Sequence, residues 1–194
     1  MKNYISFFAA VLFQSYAFAQ SNCFENCLKN FENSNLEGPE RNMQIVNQLI
    51  GCQMPELVLK SVSGEEFSIR KLKGKVIVIN FWFASCAPCI AELPALNKLV
   101  DEYKGKDVVF LALGRESIDA IRSFSGKREF KYNLISANDD IFEKSCVIAG
   151  WPMNMVVDKD GVLKYVHSGG FIDERAKEYA YKEMKPVIDK CLQL

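Results

Sequence analysis

The sequence predicts an α/β fold: a mixed β-sheet with helices on both faces. Three observations predict it. The run Val76 to Trp82 is apolar at every position but Asn80 and rich in β-branched and aromatic residues, the pattern of a strand covered on both sides. Val108 to Leu113 is a second such run, and between the two Ile90, Leu93, Leu96 and Val100 recur at helical spacing. Strand, helix, strand is the crossover unit of a parallel sheet. Asp160-Gly161, between the apolar segments Met153–Val157 and Val162–His167, is a hairpin signal that adds an antiparallel pair.

The elements follow in chain order. Met1 to Ala19 reads as a signal peptide, with Lys2 as its charged start, Ile5 to Phe13 as its apolar centre and Ala17-Phe18-Ala19 as the cleavage site. Gln14 and Ser15 interrupt the apolar run, which makes it short for a membrane anchor, and no later stretch is apolar enough to cross a bilayer. Residues 20–53 form a helical extension. Phe24, Cys27, Leu28 and Phe31 share one helix face, a loop runs from Asn33 to Pro39, and a short helix from Arg41 stops at Gly51. Residues 54–194 form the main domain. It opens with a hairpin, Leu57 to Leu59 turning at Ser63-Gly64 into Phe67 and Ile69, and a solvated basic turn at Lys71 to Gly74 leads to Val76. Beyond Leu113, Arg115 and Glu116 end a strand near the expected active site and are read as surface residues, with substrate contact the alternative, and Ser117 caps a helix through Phe124. An extended piece spans Tyr132 to Ser136, and a helix runs from Asp139 to Cys146. His167 is read as an edge-strand residue. Asp173 starts the last helix, which Pro186 is expected to kink or divide.

With 24 basic and 24 acidic residues among 194, the chain has no basic field for nucleic acid. Its chemistry lies in Cys86-Ala87-Pro88-Cys89, where the strand from Val76 gives way to a helix. The first N–H groups of a helix are unpaired and its dipole is positive there, so a thiolate at Cys86 is stabilised and its pKa falls below about 8.5. Pro88 costs little in a first turn. The spacing lets Cys86 attack a substrate sulfur and Cys89 resolve the mixed disulfide. Half a zinc site and an inert disulfide are the bland alternatives. The first lacks a second Cys-x-x-Cys, and the only histidine is His167. All seven cysteines follow the cleavage site, as suits an oxidising compartment. Apart from the Cys86/Cys89 pair, Cys23 or Cys27 is expected to bridge to Cys52, while Cys146 and Cys191 read as buried thiols.

Phe81-Trp82, the Cys86–Cys89 motif and Pro94 resemble the active-site strand and helix of thioredoxins. The longer string from Gly74-Lys75-Val76 to Leu96 is more similar to the exported TlpA/ResA-type thiol-disulfide oxidoreductases of the AhpC/TSA-redoxin superfamily. The resemblance runs from about Met54 to the C-terminus and implies a thioredoxin-like sandwich. It also implies a proton-transfer role for Glu92, three residues after Cys89, whereas Asn80 stands where cytosolic thioredoxins carry a buried Asp. Pro152 matches the cis-proline beside the active site. Trp151 and Met153 depart from the pattern, since relatives more often have smaller residues and Thr there. Trp151 and Pro152, with Trp82, Ala87 and Pro88, are the expected substrate contacts.

The partners implied are protein disulfides or dithiols and a membrane thiol donor, in a periplasmic or other extracytoplasmic location. No metal or organic cofactor is needed, because the sulfurs carry the redox chemistry. The relatives are mostly reductants, for example of apocytochrome c; Ala87-Pro88 leaves the direction of electron flow open. Three rivals remain. A peroxide reductase needs a Pro-x-x-x-Thr-x-x-Cys loop, which is absent. A copper-delivery module needs Cys-x-x-x-Cys, a spacing that Cys23 and Cys27 have in the wrong element. The third is a binding module with an idle Cys-x-x-Cys.

Overall fold

The computed structural model describes residues 23–33, 43–44, 46–147 and 150–194. The expected leader and cleavage site, and the loop expected after residue 33, lie outside the described residues.

The extension opens with α1 (Cys23–Glu32), which buries Phe24 and Cys27 in the same core as the sheet. Residues 43–44 and 46–47 are helical, within the expected second helix, and 48–51 form a turn, so the helix gives way to a turn before Ile50. Two disulfides fasten this segment. Cys23 bonds to Cys52, one of the two pairings expected, and Cys27 bonds to Cys146. Cys146 is therefore not a free thiol. Its partner lies 119 residues away, and only the packing of α1 on the far end of the domain brings the two together. Cys23 and Cys27, each bonded elsewhere, do not form a metal-binding pair. Cys191 is free and buried, as expected.

β1 (Val58–Lys60) and β2 (Glu66–Ser68) form the anticipated hairpin as a separate antiparallel ribbon. One bridge, Ser61 to Ile135, ties it to the main sheet. A 3-10 turn at Arg70–Leu72 leads to β3 (Val76–Trp82), buried at every position. Next come α2 (Ala87–Ala91), α3 (Leu93–Glu102) and β4 (Val108–Gly114). Ser117 caps α4 (Ile118–Ser125), its Oγ accepting the Ala120 N–H at 3.3 Å. After β5 (Asn133–Ser136), Asn138 caps α5 (Asp139–Lys144) by accepting the Ile141 N–H at 3.1 Å. β6 (Met153–Val157), β7 (Leu163–Ser168) and α6 (Ala176–Gln193) complete the chain.

The sheet order is β5-β4-β3-β6-β7, with β3, β4 and β5 parallel and β6 and β7 antiparallel to their neighbours. Strand alternation divides the core. Ile77, Ile79 and Phe81 face the hairpin, α1 and α5, whereas Val76, Val78 and Trp82 face α3, α4 and α6. Asp158 fixes the last hairpin: its Oδ1 accepts the N–H groups of Asp160 and Val162, and Lys164 pairs with its Oδ2 at 3.0 Å. Pro186 does not divide α6. It lies on the exposed face, where water can take the carbonyl that a proline leaves unpaired.

Candidate active site

β3 ends at Trp82, and the chain passes through Phe83, Ala84 and Ser85 before Cys86 caps α2. Cys86 has an extended backbone (φ −76°, ψ 101°), and its Sγ accepts the Cys89 N–H at 3.2 Å. Cys86 and Cys89 are joined by a disulfide, with their Cα atoms 5.2 Å apart. Both cysteines are buried, and Cys86 is flanked by exposed Ser85 and Ala87. When the bond is reduced, the same N–H faces the Cys86 thiolate, a charge-assisted contact that favours ionisation there.

Glu92 sits at the joint between α2 and α3, and its side chain is 4% exposed. Its carboxylate takes hydrogen bonds from two amides. Asn80 Nδ2 donates to Oε1 at 2.9 Å, and Asn154 Nδ2 lies 3.3 Å from Oε1 and 3.2 Å from Oε2. Asn80 Nδ2 also donates to Asn154 Oδ1 at 2.9 Å. Burial pushes the Glu92 pKa up to about 8, against the smaller opposing effect of the Asn154 and Asn80 hydrogen bonds. A carboxyl raised in this way, three residues after Cys89 in the chain, has the chemistry of a proton acceptor and donor. The sequence reading missed Asn154; its one signal is a lone polar residue inside an otherwise apolar strand.

The rim of the site comes from three segments. The Trp151–Pro152 peptide bond is cis. Pro152 is buried, and Gly170 covers it: a Cβ at Gly170 would stand 3.1 Å from Pro152 Cδ and 3.3 Å from Pro88 Cβ. A side chain there would crowd both prolines, which would have to give by a few tenths of an ångström. The Gly169 N–H donates to the Pro152 carbonyl at 2.7 Å and holds the crossing in place. Half-buried Trp151 packs its ring against Phe83 and Phe142, centroids 5.5 Å apart in both cases, with the Arg115 guanidinium 5.7 Å from its ring. Glu116, read as a surface residue, is half-buried instead: it accepts the Ala84 N–H and so braces the loop before Cys86.

Trp82 corrects one expectation. It is 1% exposed and wedged between Phe124 and Phe130 at 4.7 and 5.4 Å, so it supports the site from inside and offers no surface to a substrate. Ala87 and Pro88 lie at the surface, beside Cys86.

Residues 50–166, more than half of the chain, match the AhpC/TSA family. The chain belongs to that family. Within it, this AhpC/TSA protein is of the thioredoxin-like TlpA/ResA type. It is 29% identical over 134 residues to the thiol-disulfide oxidoreductase ResA of Bacillus thuringiensis subsp. konkukian, covering 69% of this chain and 78% of that one. It is 31% identical over 122 residues to the thioredoxin-like protein YneN of Bacillus subtilis, covering 61% and 71%. The crystal structure of a thiol:disulfide interchange protein of the thioredoxin family from Chlorobium tepidum covers 72% of this chain and 95% of its own, at 20% identity and a TM-score of 0.60. That likeness shows the thioredoxin fold, and with the relatives' names it assigns thiol-disulfide oxidoreductase chemistry.

Proposed function

We propose that this protein works outside the cytoplasm as a reductant of disulfides in protein substrates. Cys86 attacks, Cys89 resolves and Glu92 handles the proton. The observation that carries the reading is the Cys86 sulfur at a helix start, 3.2 Å from the Cys89 N–H, with the buried Glu92 carboxyl, its pKa pushed up to about 8, three residues beyond Cys89. In the first step the Cys86 thiolate bonds to one substrate sulfur, and the other substrate sulfur leaves with the electron pair. In the second, Cys89 gives its proton to Glu92 and its sulfur bonds to Cys86; the bond from Cys86 to substrate breaks, and the second substrate thiolate departs. The substrate gains two electrons and the Cys86–Cys89 disulfide is formed.

The polypeptide around the substrate cysteine lies across Ala87, Pro88, Gly170 and the Trp151 ring, paired with the backbone that leads into β6 beside Pro152. An oxidising compartment fits a chain whose described cysteines, Cys191 apart, are all in disulfides. There, electrons come from a membrane thiol carrier, since cytosolic donors cannot reach the site.

The test is turnover and trapping with insulin. The reduced wild-type protein is expected to reduce insulin disulfides, and Cys89→Ala to accumulate a mixed disulfide through Cys86. Cys86→Ala should do neither. A wild-type protein that binds insulin without reducing it would instead make this a binding module.

A further inference from the structure

The helix beneath the Trp151 ring ends in an uncommon way. Two backbone bonds fold the chain back at the end of α5: the Cys146 N–H donates to the Glu143 carbonyl at 2.9 Å, and the Val147 N–H to the Phe142 carbonyl at 3.0 Å. This is a Schellman motif, whose turning residue takes left-handed backbone angles and is ordinarily glycine. Here it is Cys146, with φ 53°, and among the described residues no other non-glycine has a positive φ. The fold keeps a side chain where one is disfavoured, and that side chain makes the disulfide to Cys27.

What this end holds is Phe142. Its carbonyl closes the motif, and its buried ring lies 6.2 Å from Phe81 of β3 and 5.5 Å from Trp151. The Arg115 guanidinium reaches both rings, 5.3 Å from Phe142 and 5.7 Å from Trp151, so a shift of one is felt by the other. α5 has only six residues and does not hold its own position. At its start Asp139 pairs with Arg115 at 3.1 Å, but both side chains are exposed and such a pair weighs little. The covalent tie is at the other end.

We propose that Phe142 and the Cys27–Cys146 disulfide position the substrate contact: the disulfide fixes the end of α5, and Phe142 thereby sets the pose of the Trp151 ring. This deepens the function proposed above and rests on that ring receiving the substrate polypeptide. The disulfide acts as a tether and takes no electrons in the cycle, since both of its cysteines are buried. The second disulfide acts elsewhere. Cys52 belongs to the strip whose backbone pairs with Leu163 at the start of β7, whereas Gly169 meets Pro152 beyond the other end of that strand. Removing Cys23–Cys52 loosens α1 but leaves the end of α5 tied.

The test uses Cys27→Ala/Cys146→Gly, in which glycine suits the turn while the disulfide is gone. In insulin reduction this variant should show a KM raised several-fold at an unchanged kcat, the signature of lost binding. Its rate with cystamine, a disulfide without a polypeptide, should stay at the wild-type value. The two tryptophans supply a second readout. The indole N–H resonance of Trp151 should shift, while that of Trp82, packed between Phe124 and Phe130, stays in place and reports an intact fold. Phe142→Leu keeps every disulfide and should reproduce both effects; it decides the matter if the first variant does not fold. A wild-type KM, an unmoved Trp151 resonance, or an equal rise in KM in Cys23→Ala/Cys52→Ala would overturn the proposal. A wild-type protein that reduces no insulin would remove the functional reading, while the Trp151 resonance would still decide whether the tether sets its pose.

Discussion

Glu92 couples the chemistry of the site to the stability of the chain. Its pKa is about 8 in the fold against an ordinary 4.5, so between those values the folded chain keeps a proton that the unfolded chain releases. The associated stability is complete below about pH 4.5 and is lost as the pH rises through 8, by at most about 1.4 kcal/mol per unit. Glu92→Gln carries no such dependence. It should melt above the wild type at pH 9, with the gap closing towards pH 4.5; a gap that does not change with pH would contradict the assignment. Gly170 makes a second case. A side chain there meets Pro152 and Pro88, so Gly170→Val should raise the KM for protein substrates several-fold. Because Gly170 is exposed, melting should change little, and an unaltered KM would show that substrate does not cross this point. Cys86, Cys89 and Glu92 were legible as residues because spacing and resemblance name them. Asn154 was not, since its role arises only when β6 pairs with β3 and sets it opposite Asn80.

At the scale of elements, local signals placed nearly every strand and helix. The capping side chain of Ser117, the Asp160-Gly161 turn and the apolar run of β3 each act over a few neighbouring residues, and such signals survive in a sequence. What was lost is long-range. Cys146 gave no sign of bonding to Cys27, because that pairing depends on α1 packing against α5. The place of Trp82 in the motif makes it a candidate contact, and only the burial of its ring against Phe124 and Phe130 removes it from the surface. The Cys27–Cys146 bond closes a loop of more than a hundred residues and ends five residues before Trp151. Replacing both cysteines with Ala should cost about 2–5 kcal/mol in denaturant unfolding. The Cys86–Cys89 pair should still cycle in that variant. A loss within error of zero would mean that packing alone holds α1 to the domain.

For the molecule as a whole, a five-stranded sheet holds one redox pair at the end of its central strand, and two further disulfides brace the far face. The account requires the three bonds to differ in kind. The Cys86–Cys89 bond, at a helix start between exposed Ser85 and Ala87, is to exchange, and the other two are structural. Equilibration of the protein with graded dithiothreitol ratios, followed by alkylation and mass spectrometry, reads each bond separately. The account predicts that Cys86/Cys89 titrates as a two-electron couple at or below about −250 mV, close to thioredoxin, while Cys23–Cys52 and Cys27–Cys146 stay oxidised where it is already reduced. A value near about −120 mV would contradict the reductant role and indicate an oxidant, and a pair that fails to cycle would contradict the enzyme itself.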